Sequence, residues 1–285
     1  MAEFPRAMVG GVSLSRMIVG TNWFLGFSHN TQAKDTYIKE TVANRKSIAA
    51  ILEVFLRAGV DTVMGGTHPA LMEAVRDAED AVGRKIIFVA TPGFPVGPET
   101  PTKGWDMSEV AKILDHTAAC GSAFCMPHTG TTDCLVDKCT REIRHMDTMC
   151  ALIRERGMVP GLSTHMPESI IYADETGLDV ETYISIYNAM GFLMHVEVDW
   201  IANVIRNAKK PVMTIKPMAS GQIRPFQAFH FVWTTLREQD MVTVGTMTPL
   251  EAQECIELSL SILEHRAGRI ELQETRSKTT LKGRA

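Results

Sequence analysis

The chain has no basic cluster, no long apolar run and no low-complexity linker, and each absence removes a class of function. A net charge of −4 without a run of lysines or arginines argues against nucleic acid as a main partner. The longest apolar stretch, around residues 85–92, falls far short of membrane-spanning length. Residues 1–16 carry no apolar signal region, so the expectation is a soluble, cytoplasmic protein that neither enters nor binds a membrane. Cysteine is sparse, at six in 285 residues, and Cys125, Cys134 and Cys139 follow no zinc or iron–sulfur spacing, so reduced thiols are expected. What remains is ample core material. Apolar residues make up 45% of the chain and charged residues 22%, enough to bury a full core.

One period runs through the sequence: an apolar strand, a polar loop, then a helix that stops at glycine. Strands are expected at 17–20, 60–64, 85–91, 122–126, 158–163, 183–187, 212–216 and 241–245. Before the second of them, Ile48, Ile51, Leu52, Phe55 and Ala58 share one helical face that ends at Gly59. Gly83, Gly121 and Gly157 act as later stops. Thr67-His68-Pro69 and Thr248-Pro249 read as helix starts, a hydroxyl cap followed by an early proline. A helix is expected over 226–239, with Phe226, Phe229, Trp233 and Leu236 on its apolar face.

Eight strand–helix units fit one closed α/β barrel, a (β/α)8 TIM barrel spanning 1–285. A hairpin near residues 10–15 would cap its bottom, and a polar tail would begin at Thr275.

In such a barrel the C-terminal strand ends face the site. There the sequence places Asn22, Trp23, Thr67, His68, Thr91, His128, Ser163, His165, Tyr187, Asn188, Lys216, Gly245 and Thr246. This ring of imidazoles, amides and hydroxyls suits a polar small molecule. His29 and Asn30 sit in a long first loop that could form a lid. His68, His128 and His165 are the candidate ligands for a divalent metal, although no i, i+4 spacing supports one. Lys216 could act as a base, an anion holder or a Schiff-base lysine, or could pair internally with Asp61. The backbone of Gly245, Thr246, Met247 and Thr248 would offer N–H groups to an anion, with Lys216 and Arg224 adding charge. The expected partner is therefore a small molecule with an anionic group. The chain could also pair with itself as a homo-oligomer.

These residues together resemble the aldo/keto reductase family. Gly11-Val12-Ser13-Leu14-Ser15-Arg16 leading to Gly20-Thr21 is similar to that family's hairpin and first strand. Val60-Asp61-Thr62 resembles its second strand, Met126-Pro127-His128 its fourth, and Gly161-Leu162-Ser163 its fifth. Lys216-Pro217 and Gly245-Thr246-Met247-Thr248-Pro249 resemble the seventh and eighth strand ends, which hold NAD(P) in the family. The resemblance implies a catalytic tetrad of tyrosine, lysine, aspartate and histidine. Asp61 and His128 match two of these. Gly66 stands where the tyrosine would be, Thr91 and Pro92 where the lysine would be, and no basic residue takes the 2′-phosphate position.

The expected function is an aldo/keto reductase-like enzyme acting on a hydroxy-carbonyl, sugar or sugar acid. Asp61, His128 and Lys216 would supply acid–base chemistry of isomerase or lyase type. The alternatives are a divergent NAD(P)H-dependent oxidoreductase and a non-catalytic small-molecule-binding barrel.

Overall fold

The computed structural model describes residues 3–272 together with 275, 278 and 281. The polar tail expected from Thr275 lies almost wholly outside them. Residues β1 (Arg6–Val9) and β2 (Val12–Ser15) form an antiparallel hairpin, which starts earlier than the sequence suggested. The barrel strands are β3 (Met17–Gly20), β4 (Thr62–Gly65), β5 (Ile87–Ala90) and β6 (Phe124–Cys125). A small antiparallel pair, β7 (Val136–Asp137) and β8 (Glu142–Ile143), interrupts the loop that follows. Then come β9 (Val159–Pro160), β10 (Leu162–Ser163), β11 (Tyr183–Ile186), β12 (Val212–Ile215) and β13 (Met241–Val244).

The sheet runs β10-β11-β12-β13-β3-β4-β5-β6-β9, with every pairing parallel. Because β9 and β10 are one strand broken at Gly161, the order closes on itself as an eight-stranded barrel. A Cβ at Gly161 would stand 2.7 Å from the Met126 methyl and 2.8 Å from the Thr182 carbonyl oxygen. Only glycine lets the fifth strand turn there and pair with a neighbour on each side.

Strand parity sorts the core into two layers. Ile18, Met64, Val89, Phe124, Ile184, Met213 and Met241 point inward and pack on Ala7, Val9 and Leu14 of the hairpin, which plugs the bottom. Val19, Val63, Phe88, Tyr183, Val212 and Val242 point outward against the helices. Four helices cover this layer with clear stop or start signals. Arg45–Arg57 buries Ile48, Ile51, Leu52 and Phe55, and Gly59 follows at φ 82. Pro249–Leu263 is capped by the Thr248 hydroxyl, which accepts the Glu251 N–H. Pro69–Val82 is capped at His68 rather than Thr67, without a side-chain bond. The expected 226–239 helix runs Pro225–Thr235, with Phe229 and Trp233 buried, whereas Phe226 in the first turn is exposed at the rim.

Candidate functional site

A cavity of about 560 Å³ opens at the C-terminal end of the barrel, within the size range of small-molecule and cofactor sites. Its floor is made by strand ends whose geometry depends on glycine. A Cβ at Gly65 would sit 1.7 Å from Thr21 Oγ1, the hydroxyl that donates to the Met64 carbonyl. The walls carry Asn22, Trp23, Thr91, His128, Ser163, His165, Lys216, Gly245 and Thr246, all placed there by strand-end reasoning. Arg224 and His29 also reach it, so the first loop does fold over the mouth.

Lys216 is the centre of the site's charge. Inward-facing Ile215 precedes it, so strand parity alone would turn Lys216 outward. Its backbone instead takes a left-handed φ of 62° directly before Pro217, a strained conformation for a residue with a Cβ. That turn leaves Lys216 on the cavity wall beside Ile215. Burial lowers its amine to about 8, and its ammonium makes no ion pair among the described residues.

The imidazoles answer that charge. Burial first, and then Lys216, push His29 and His128 below their ordinary value and hold His165 down at about 4. All three are therefore neutral near pH 7. His128 Nδ1 accepts the Gly130 N–H at 3.2 Å, which assigns the ring proton to Nε2. His29 Nε2 accepts from the Asn22 amide at 2.8 Å. The Ser220 hydroxyl donates to the Ser28 carbonyl and ties the first loop to the seventh. Lys216, Ala219 and Ser220 all have positive φ, so this latch is built from strained backbone.

A carboxylate that the sequence did not reveal organises the opposite wall. Asp133 accepts from the Thr129 hydroxyl at 2.7 Å and the His165 N–H at 3.0 Å on one oxygen, and from the Thr164 hydroxyl on the other. It joins the loops after β6 and β10 and favours the charged form of both His128 and His165.

Several expected site residues lie elsewhere. Asp61 precedes β4 instead of ending it, so it sits at the barrel's bottom. There it accepts from Arg6 of the hairpin at 2.9 Å, the full barrel length from Lys216. Neither tuning of the reacting carbon nor pairing with Lys216 is open to it. Tyr187 shares parity with outward-facing Tyr183. Its ring packs on Phe231 with centroids 5.0 Å apart, and its hydroxyl donates to Thr235. Asn188 is fully buried and holds the Met190 and Phe192 N–H groups, so it builds the loop that presents Phe192 to the cavity. His68 is an exposed helix cap, and no group of three potential metal ligands occurs among the described residues. Met247 and Thr248 cap the last helix outside the cavity lining, and the Met247 N–H already donates to the Glu251 carboxylate at 2.6 Å. The protein's own anion thus occupies part of the place expected for a ligand's.

No tyrosine lines the cavity among the described residues. Tyr37 is exposed on the helix Gln32–Thr41, Tyr172 lies on the helix Glu168–Thr176, and the other two face the outer layer.

No family sequence model matches the chain, and no curated protein matches it in sequence. Solved structures do match. A protein described as an aldo-keto reductase from Pseudomonas aeruginosa aligns at TM-score 0.65 and 16% identity, over 90% of this chain and 95% of that one. The holo form of an aldo-keto reductase from Bacillus halodurans aligns at 0.59 and 10% identity, over 95% and 99%. An aldo/keto reductase from Klebsiella pneumoniae in complex with NADP and acetate aligns at 0.60 and 14% identity, over 90% of each chain. The chain has the aldo-keto reductase barrel fold. No helix among the described residues is long and apolar enough to cross a membrane.

Proposed function

We propose that this barrel is an oxidoreductase-like enzyme that acts on the carbonyl or hydroxyl group of a small oxygenated metabolite with help from a nicotinamide dinucleotide. The observation that carries the reading is Lys216, a cation without an ion-pair partner among the described residues, on the wall of the cavity that also holds the Nε2–H of His128. Two positive or hydrogen-bearing groups converging on one space are what a developing alkoxide needs. They stand in for the absent tyrosine. With an amine at about 8, Lys216 remains mostly protonated at pH 7 yet can release its proton to an oxygen. A carboxylate on the metabolite, as in a sugar acid or 2-oxo acid, would find Arg224 at the rim.

The residues present fit a dinucleotide. Thr246 Oγ1 is buried on the cavity wall without a hydrogen-bond partner, which marks a place for a ligand donor or acceptor. Trp23 lies against Gly245, where an added Cβ would be 3.6 Å from the indole, and offers an aromatic face to a ring. Trp23, Thr246 and Arg224 would hold the cofactor, and a nicotinamide so held would supply or accept hydride. Glu251 and Glu254 also line this side, so a form without a 2′-phosphate fits better. The same Lys216–His128 pair would serve an isomerase or lyase reaction, the reading to adopt if no dinucleotide binds.

Fluorescence titration separates the two, because Trp23 lines the cavity. Saturable quenching by NADH, lost in Trp23→Phe, supports the dinucleotide reading. Quenching no greater than that of free tryptophan at equal nucleotide would discard it.

A further inference from the structure

The amine of Lys216 has a second use that hydride chemistry does not require. The side chain combines four conditions for a nucleophilic lysine: a position on the cavity wall, partial burial, no carboxylate partner among the described residues, and neighbouring groups able to move protons. Ile184, Ile215, Met64 and Phe192 supply apolar surface that excludes water from the same space. The left-handed backbone at Lys216 is kept despite its strain, as at positions where geometry serves function.

We infer that Lys216 forms a covalent imine with small aldehydes, ketones and 2-oxo acids that enter the cavity. The neutral amine adds to the carbonyl carbon while His128 Nε2–H donates a hydrogen bond to the oxygen, and one proton of the nitrogen passes to that oxygen to give a carbinolamine. The carbon–oxygen bond then breaks as the nitrogen lone pair closes the C=N bond. The amine gives up two protons and the oxygen departs as water, so no oxidant or reductant is needed. The imine makes the adjacent carbon acidic, and the neutral imidazole of His165 can take its proton. The inference rests on the cavity being a carbonyl site and not on the dinucleotide.

Charged and titratable groups around the amine come from every loop that meets it. They are His29 from the first loop, His128 after β6, His165 after β10, Arg224 from its own loop, and Glu251 and Glu254 from the last helix. The free-amine fraction at about 8 exceeds that of an ordinary surface lysine near neutrality by roughly two orders of magnitude.

The test is borohydride trapping. Full-length protein is incubated with pyruvate from pH 6.5 to pH 9.5, reduced with sodium borohydride, digested and mapped by mass spectrometry. Lys216 should be alkylated at least ~10-fold faster than exposed Lys46, with a rate that levels off above about pH 8. Label spread evenly over surface lysines, or absent from Lys216, overturns the inference. Lys216→Arg, which keeps the charge, should lose the label while other lysines label as before. Quenching by NADH without trapping sinks the imine alone, and trapping without quenching sinks the dinucleotide reading alone.

Discussion

Replacing Lys216 with methionine should make the protein more stable and functionally silent. The ammonium is partly buried without a counter-ion, and its amine is lowered from 10.5 to about 8. Each tenfold change in proton affinity is worth about 1.4 kcal/mol, so the charged side chain costs the folded state up to roughly 3 kcal/mol at pH 7. Solvent at the partly exposed head reduces this to about 1–2 kcal/mol. The strained φ of 62° is common to both side chains and cancels. Below pH 8 both folded and unfolded chains hold the proton, and the cost is complete. Between pH 8 and 10.5 the folded chain releases it while the unfolded chain does not, so wild-type stability rises with pH and the variant's advantage fades. Urea unfolding at pH 7 and pH 10 measures both values. A variant less stable than wild type at pH 7, or an advantage that does not shrink by pH 10, would refute the reasoning. A gain in stability with loss of ligand binding is the usual mark of a residue retained for function.

Three other outcomes follow from the same geometry. His165, held at about 4 against 6.5 in an unfolded chain, should make stability fall as pH drops from 6.5 towards 4, and His165→Asn should flatten that limb in acid unfolding curves. Asp61→Ala should cost about 1–3 kcal/mol in urea by removing the carboxylate that Arg6 pairs with at the barrel bottom, while quenching by NADH stays within twofold of wild type. Glu251→Gln, which can still accept the Met247 N–H, should narrow an NADH-over-NADPH preference about tenfold by equilibrium binding; an unchanged ratio would remove Glu251 from cofactor choice.

Much of the architecture was legible because strand parity and glycine stops act locally. The strand at 17–20 matches its expected bounds, and the others differ by one or two residues at an end, where short strands are hardest to delimit. Strand ends also brought His128, His165, Lys216, Trp23 and Thr246 to the cavity. Asp61 failed because motif resemblance outranked position: Gly65 ends β4, so a residue four places earlier belongs to the far end. Tyr187 shares the outward parity of Tyr183, and that parity turns it away from the cavity. Asp133 could not be found, since it acts through a loop contact with Thr164 and His165 some thirty residues away. Glu251 was legible in principle, as the third residue after capping Thr248.

The central claim is that Lys216 and His128 jointly hold the oxygen of a carbonyl compound in this cavity. A crystal structure of the protein with NADH and oxamate, an unreactive analogue of a 2-oxo acid, tests it directly. Expected is an oxamate oxygen within hydrogen-bonding distance of both Lys216 Nζ and His128 Nε2, beside a nicotinamide near Trp23. Oxamate bound away from Lys216, or a cavity that stays empty at saturating ligand, would contradict it.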